Sequence, residues 1–374
     1  MLLAGAVAAL AWIGLTLREG VDARGNPFAA DFIIFYGASR LALAGKASLA
    51  YASQTLLAVE RQAVPGSHRL FLWSYPPTFQ LVVWPLGLLP YLGALAAWTA
   101  LGLSAYLATI RRITRDLRAW LPALAFPGVF INAAQGQTGF IITALTGCGL
   151  LWLDTRPLLA GVLLGLIVIK PQFGVLLPLL LIGTGRWKAT AAAAVTACAL
   201  AAVATQAFGW QAWRDFPPAA AMAARALVIG ALPLYKNPSL FAALLGFGMA
   251  PGMALAIHGV SALAAAWLAL RAWRGEASLE IKAGAAVLAT LIVLPYSFDY
   301  DLVLLAIPIA VALKAVLDEP APPGVRVALV LLAITPIFLA PLDQWLHTPI
   351  GPVALWCGLL AVLSLAPASA QPLT

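Results

Sequence analysis

From Tyr91 to Ile110 the chain reads YLGALAAWTALGLSAYLATI, without one acidic or basic side chain. A helix of about 17 to 25 apolar residues crosses a hydrocarbon core of roughly 30 Å, and runs of this kind recur along the 374 residues. Lipid is therefore the solvent for most of the chain, and this is an integral membrane protein. Composition agrees: 63% of residues are hydrophobic and 10% charged, against about 25% charged in soluble domains. Each charged residue then needs a physical reason.

The net charge of +8 does not indicate nucleic acid, because the basic residues are scattered between apolar runs and form no single face. Cys148, Cys198 and Cys357 lie inside apolar runs with no metal-ligand spacing, so neither a disulfide framework nor a zinc site is expected. His68, His258 and His347 are equally scattered and are expected to be structural. The run from Met1 to Leu17 lacks a basic head and a small-residue cleavage site, and reads as an uncleaved first span.

Length and hydropathy place spans at 2–17, 91–110, 119–135, 137–153, 157–170, 172–184, 189–208, 251–270, 282–297, 301–317, 325–341 and 349–366, about twelve transmembrane helices. The basic stretches RRITRDLR (111–118), GRWK (185–188), RAWRGEASLEIK (271–282) and the segment 314–326 then share one side. By the positive-inside rule that side is cytoplasmic. The other face carries long loops at 18–90 and 209–250 and the turns NAAQGQTG (132–139), KPQ (170–172), PYSFDYD (295–301) and LDQWLHTP (342–349).

The proline-bounded pieces at 75–91 and 239–251 are too short to cross and would reverse the arginine clusters, so they are expected to lie in the outer interface. With Asp31–Tyr51 they would form an amphipathic lid over the outer mouth of the bundle. Residues 1–374 then make a single transmembrane domain, with 18–90 and 209–250 as its two large outer loops. No internal repeat is evident.

Asp31 follows the irregular REGVDARGNPFAA and heads a helix, where a carboxylate is a favoured N-cap. Beyond that local role, DFIIFYGASRLALAG with LAY, FLWSYPPTFQLVVWPLGLLPY, NAAQGQTG, GVLLGLIVIKPQFGVLLPLLLI, KNPSL and PYSFDYDLVLL, in this order over about 28–310, resemble glycosyltransferase family 87. The resemblance implies the GT-C membrane fold, an all-α polytopic helical bundle with interfacial helices in its outer loops. It also implies a hexosyltransferase that moves a sugar, mannose by family default, from a polyprenyl-phosphate donor to a lipid or glycan acceptor on the extracytoplasmic face. Asp31 matches the family's catalytic aspartate of the first outer loop. The expected setting is a bacterial inner (plasma) membrane with the site facing the periplasm or exterior; donor, acceptor and membrane lipids are the partners, and nucleic acid is not.

The chemistry explains such a placement. Inverting transfer from a lipid phosphate needs a base for the acceptor hydroxyl, worth about 10² to 10⁴ in rate. The leaving group is already a phosphate, so no second carboxylate has to serve as acid. Lys170, the one basic residue in the short outer turns, is the candidate for the donor phosphate, with snorkelling at the interface as the plain alternative.

Asp299 and Asp301 in PYSFDYD resemble a DxD metal pair, but a lipid-phosphate donor does without such a metal; no metal and no cofactor are expected, and Asp299 is placed on a sugar hydroxyl. The histidine that family members often carry near this turn is absent here. Asn132, Gln135, Gln137 and Asn237 offer amides for sugar or acceptor hydroxyls, or equally for backbone groups freed by turns. Trp73 and Tyr75 are stacking residues or members of an aromatic belt. The rival class is a transporter of lipid-linked sugar or polysaccharide, whose marks are internal repeats and polar groups near the midplane; here the polar groups crowd one face. A membrane assembly or scaffold protein is the third reading.

Overall fold

Proline and glycine punctuate the apolar runs and decide where the helices start and bend. A computed structural model of the chain describes residues 29–67, 71–318 and 322–366, with Val21 and Pro27 besides. In order come α1 (Phe32–Leu43), α2 (Ser53–Ala63), α3 (Pro77–Val83), α4 (Tyr91–Thr114), α5 (Trp120–Ala125), α6 (Pro127–Gln135), α7 (Gly139–Leu151) and α8 (Pro157–Gly165). After them follow α9 (Leu177–Gly183), α10 (Trp187–Val228), α11 (Leu240–Gly246), α12 (Pro251–Arg274), α13 (Leu279–Val293), α14 (Ala306–Asp318), α15 (Pro323–Leu346) and α16 (Ile350–Leu363). Proline opens α3, α6, α8 and α12, where its missing N–H forfeits no helical bond and its φ is already helical. Among the described residues the only β pairing is an isolated bridge between Val21 and Pro27.

Five helices among the described residues are long and apolar enough to cross a membrane: Tyr91–Thr114, Trp187–Val228, Pro251–Arg274, Asp299–Leu317 and Gly324–Leu346. These coincide with five of the twelve expected spans. The expected span at 2–17 lies outside the described residues. The other apolar runs are helical but short. The run at 119–135 breaks at Phe126, whose extended backbone precedes Pro127. Those at 157–170 and 172–184 each divide into an α-helix and a 3-10 turn. Hydropathy averages over side chains and is blind to backbone continuity, whereas proline deletes a helical hydrogen bond and clashes with the preceding turn.

The helical run of α10 is broken at Gly209, whose backbone is non-helical (φ 76°, ψ 167°), so that one helical stretch ends beside the expected limit at 208 and a second runs on to Val228 within the segment 209–250. One outer-loop expectation is corrected. The proposed amphipathic lid at Asp31–Tyr51 is instead a core element, since ten of the 12 residues of α1 are buried. Phe35 makes edge-on ring contacts with Trp73, Tyr75, Phe79 and Trp98. Trp73, 2% exposed, stacks on Phe79 with ring centres 5.6 Å apart, so it belongs to this aromatic core and not to an interfacial belt. Glu60 of α2 is enclosed beside Gly37, and burial pushes its carboxyl up to about 8.

Close helix approach uses small residues. On α8, a Cβ at Gly165 would stand 2.5 Å from the Ala193 carbonyl of α10, and one at Gly161 would run into the Ala189 carbonyl. The small-xxx-small spacing therefore lets α8 and α10 pack backbone to backbone, the route open to helices that gain nothing from apolar burial in lipid.

The bundle is polar in two different ways at its two ends. Tyr91, the first residue of α4, packs on Phe32 with ring centres 5.6 Å apart, which puts that end beside Asp31. Arg111 and Arg112 lie in the last turn of α4, about 30 Å away at 1.5 Å per residue. At their end Arg115 meets Glu280, Arg186 meets Asp154 at 2.6 Å and Arg274 donates to the Gly183 carbonyl. The amide and carboxylate turns collect at the other end.

Candidate active site

Six segments converge at that end. The N-terminus of α1 brings Asp31; the extended piece before α3 brings Tyr75; the α6–α7 turn brings Gln135 and Gln137; the turn after α8 brings Lys170. The turn before α11 brings Lys236, and the 3-10 helix 299–305 ahead of α14 brings Asp299 and Asp301. Local sequence explains the α6–α7 turn. Gly136 sits in the left-handed region at φ +64°, and a Cβ there would stand 2.6 Å from that of Phe32, so glycine is needed both for the backbone and for the approach to α1. Asn132 then ties the turn together: its Oδ1 accepts from the Gly139 N–H at 2.8 Å and its Nδ2 donates to the Gln137 carbonyl at 3.3 Å.

Asp31 occupies the N-cap position of α1 but makes no side-chain cap bond, because its backbone is already in the right-handed helical region (φ −84°, ψ −21°). The capping role is thereby replaced by a tertiary one. Gln137 Nε2 donates to Asp31 Oδ2 at 2.9 Å. The Tyr75 hydroxyl stands 3.3 Å from the same Nε2 and 3.4 Å from Gln137 Oε1. Burial pushes the Asp31 carboxyl up from its ordinary 3.8 to about 6; the Gln137 bond, Lys236 and Lys170 work against that rise, and Asp299 adds to it. A carboxyl in that range is poised to accept a proton near neutral pH.

The two aspartates of PYSFDYD face different cations. Lys170 Nζ contacts Asp301 Oδ1 at 2.7 Å, with both side chains at most 5% exposed, and the ammonium also lies over the Phe173 and Tyr300 rings. Asp301 Oδ2 accepts the Phe298 N–H at 3.0 Å, which makes it in part the local helix cap. Asp299 Oδ1 accepts from Gln135 Nε2 at 3.2 Å and from the Tyr300 N–H at 2.9 Å, while its Oδ2 lies 3.6 Å from Lys236 Nζ.

Lys170, expected to be free for an anion, is thus already paired. Lys236, which the sequence reading left without a role, is the more open cation, 35% exposed against 5%. Its signal was the KNPSL motif that it opens, passed over because it sits in a long segment. Asn237 is held like Asn132, its Oδ1 accepting from the Ser239 N–H and its Nδ2 donating to the Pro295 carbonyl. Both asparagines spend their amides on turns. His258 is buried with Nε2 3.0 Å from the Val293 carbonyl, a packing role as expected, and His68 lies outside the described residues.

The cluster therefore offers a held carboxylate, an amide and a phenol beside it, and two lysines with their counter-ions, all at one mouth of an apolar bundle. The family model of glycosyltransferase family 87 matches residues 73–296. Tyr75, Asn132, Gln135, Gln137, Lys170, Lys236 and Asn237 lie within the match, while Asp31 precedes it and Asp299 follows it. No curated protein and no solved structure matches the chain.

Proposed function

Because the chain belongs to glycosyltransferase family 87, we propose that it transfers a sugar, mannose in the first instance, from a polyprenyl-phosphate donor to a lipid or glycan acceptor, with inversion and with Asp31 as general base. The observation that carries this reading is the Asp31 carboxylate held by Gln137 at 2.9 Å in a pocket whose burial lifts its pKa to about 6. In the step proposed, the acceptor hydroxyl attacks the anomeric carbon and its proton passes to Asp31. The new glycosidic C–O bond forms as the bond to the phosphate oxygen breaks, and that oxygen keeps the electron pair as polyprenyl phosphate leaves. Asp31 supplies about 10² to 10⁴ of the rate.

Lys236 is assigned to the donor phosphate, since its pairing with Asp299 is looser and more exposed than that of Lys170 with Asp301. Lys170 is held in its buried ion pair with Asp301 and fixes the turn that carries the two aspartates. Gln135, Gln137, Asp299 and Tyr75 are assigned to sugar or acceptor hydroxyls, and Asn132 and Asn237 hold the turns that present them. No metal is invoked: each carboxylate of the DxD pair has a lysine. The arginine-rich end is assigned to the cytoplasm and the Asp31 end to the exterior of a bacterial inner membrane, in keeping with the positive-inside rule.

The test is to incubate membranes containing the protein with radiolabelled polyprenyl-phosphate mannose and an acceptor-lipid extract. A labelled product with equimolar free polyprenyl phosphate is expected. Passage of intact labelled donor across sealed vesicles with no product would instead identify a transporter.

A further inference from the structure

At the opposite end from Asp31, the last turns of α4 form one wall of a cleft of about 880 Å³. Ser104, Leu107, Ala108, Arg111, Arg112 and Arg115 line it. Their spacing of three and four residues makes them one stripe, about 16 Å long, apolar along its first half and cationic at its end. The facing wall is apolar along the same half, with Cys148 and Leu151 of α7, and then brings Trp152 and Glu280 to the level of the arginines.

The cations are arranged and only partly neutralised. The Arg112 guanidinium lies 5.0 Å over the Trp152 ring and that of Arg156 5.8 Å from the same ring. Arg115 reaches Glu280 only at 3.8 Å and keeps a side-chain exposure of 76%. Three arginines thus face one carboxylate. Around the cleft the surface is apolar, with Leu101 73% and Leu121 67% exposed, as suits a wall in contact with acyl chains.

We propose that this cleft binds an anionic glycerophospholipid, its phosphate on Arg111, Arg112 and Arg115 and one acyl chain along Leu107, Ala108 and Leu151. Guanidinium forks match phosphate oxygens in geometry as well as charge. Tryptophans at the level of the cations are the residues that settle at the headgroup boundary, and basic pockets between helices at such an end select anionic headgroups. A free phosphate would use the mouth alone and leave the apolar half of the stripe unfilled. The site lies a helix length from Asp31, so it stands or falls separately from the transferase reading.

The experiment is native mass spectrometry of the purified full chain titrated with phosphatidylglycerol, with phosphatidylcholine of the same acyl chains, and with inorganic phosphate as competitor. Because only phosphatidylglycerol brings a net negative charge to the three arginines, it is expected to bind roughly tenfold or more tighter than phosphatidylcholine. The Arg111→Gln/Arg112→Gln double variant removes that preference. Ala108→Phe, which fills the apolar half at an exposed position and keeps every cation, weakens both lipids.

Equal binding of the two lipids by the wild type overturns the proposal. So does displacement of phosphatidylglycerol by an equal concentration of inorganic phosphate, which would make this a free-phosphate site. If the double variant fails to fold, Ala108→Phe decides alone: wild-type lipid affinity in that protein removes the acyl groove and the proposal with it.

Discussion

Gln137 Nε2 donates to Asp31 Oδ2 at 2.9 Å, joining residues 106 positions apart in the chain. The carboxylate at the head of α1 is oriented by this amide and not by its own helix, for which it makes no cap bond. The second carboxylate oxygen, Oδ1, stays outside that bond. Several expectations depend on the arrangement.

Asp31→Asn keeps an acceptor oxygen for Gln137 and removes the basic one. The variant is expected to fold and insert as the wild type does, while product formation at saturating donor and acceptor falls by about 10² or more. Turnover close to wild type, at matched protein levels, would take Asp31 out of the reaction.

The pH profile follows from the sign of the shift. Asp31 must be deprotonated to act, and burial lifts its pKa to about 6, so kcat/KM is expected to fall about tenfold per unit as the pH drops below that value. The Gln137 bond favours the charged form and holds the pKa down. Gln137→Leu should therefore move the acid limb to higher pH. A limb that stays in place, or moves to lower pH, contradicts the assignment.

The two lysines should separate in their effects. Lys170→Met strands Asp301, 4% exposed, and loss of one partner of a buried pair costs about 3 to 5 kcal/mol; a lowered melting temperature is expected, with Lys170→Met/Asp301→Leu recovering much of it. Lys236→Met removes a cation that is 35% exposed and 3.6 Å from Asp299, so it should lower the melting temperature less than Lys170→Met does while raising the donor KM about tenfold or more, the worth of a hydrogen bond to a charged group. Unchanged donor KM in Lys236→Met would return the phosphate to another cation.

Sidedness is open to chemical labelling. In a background with Cys148, Cys198 and Cys357 replaced, Phe247→Cys, 63% exposed just after α11, should react with an impermeant maleimide in intact cells. Asp116→Cys, beside the arginine cluster, should react only after permeabilisation. Labelling of both from the same side would refute the orientation and with it the outward-facing site.

Much of the fold was legible before any coordinates, because in lipid the two strongest signals, long uncharged runs and the placement of arginine and lysine, are one-dimensional. The runs at 91–110, 189–208, 251–270, 301–317 and 325–341 each became a crossing-length helix. What averaging concealed was continuity: Phe126 and Pro127 break one run, and beyond the non-helical Gly209 a second helical stretch continues to Val228. The amphipathic character assigned to Asp31–Tyr51 failed for a related reason, since a helix buried by neighbours on nearly every side has the same composition as one lying in an interface.

For the site, the residue types and the end of the bundle where they gather could be read from the turns, and Asp31, Tyr75, Gln135, Gln137, Lys170 and Asp299 do meet there. Only the tertiary structure decided which groups are spent and which are open. Asn132 and Asn237 are consumed by backbone groups of their own turns. Lys170 is consumed by Asp301, while Lys236 is left partly exposed beside Asp299. The physical reason is that a buried polar group must find a partner somewhere, and which partner it finds depends on distances across 100 or more residues of chain, as between Asp31 and Gln137. Residue type and spacing determined what chemistry could be assembled; packing determined which atoms were left to perform it.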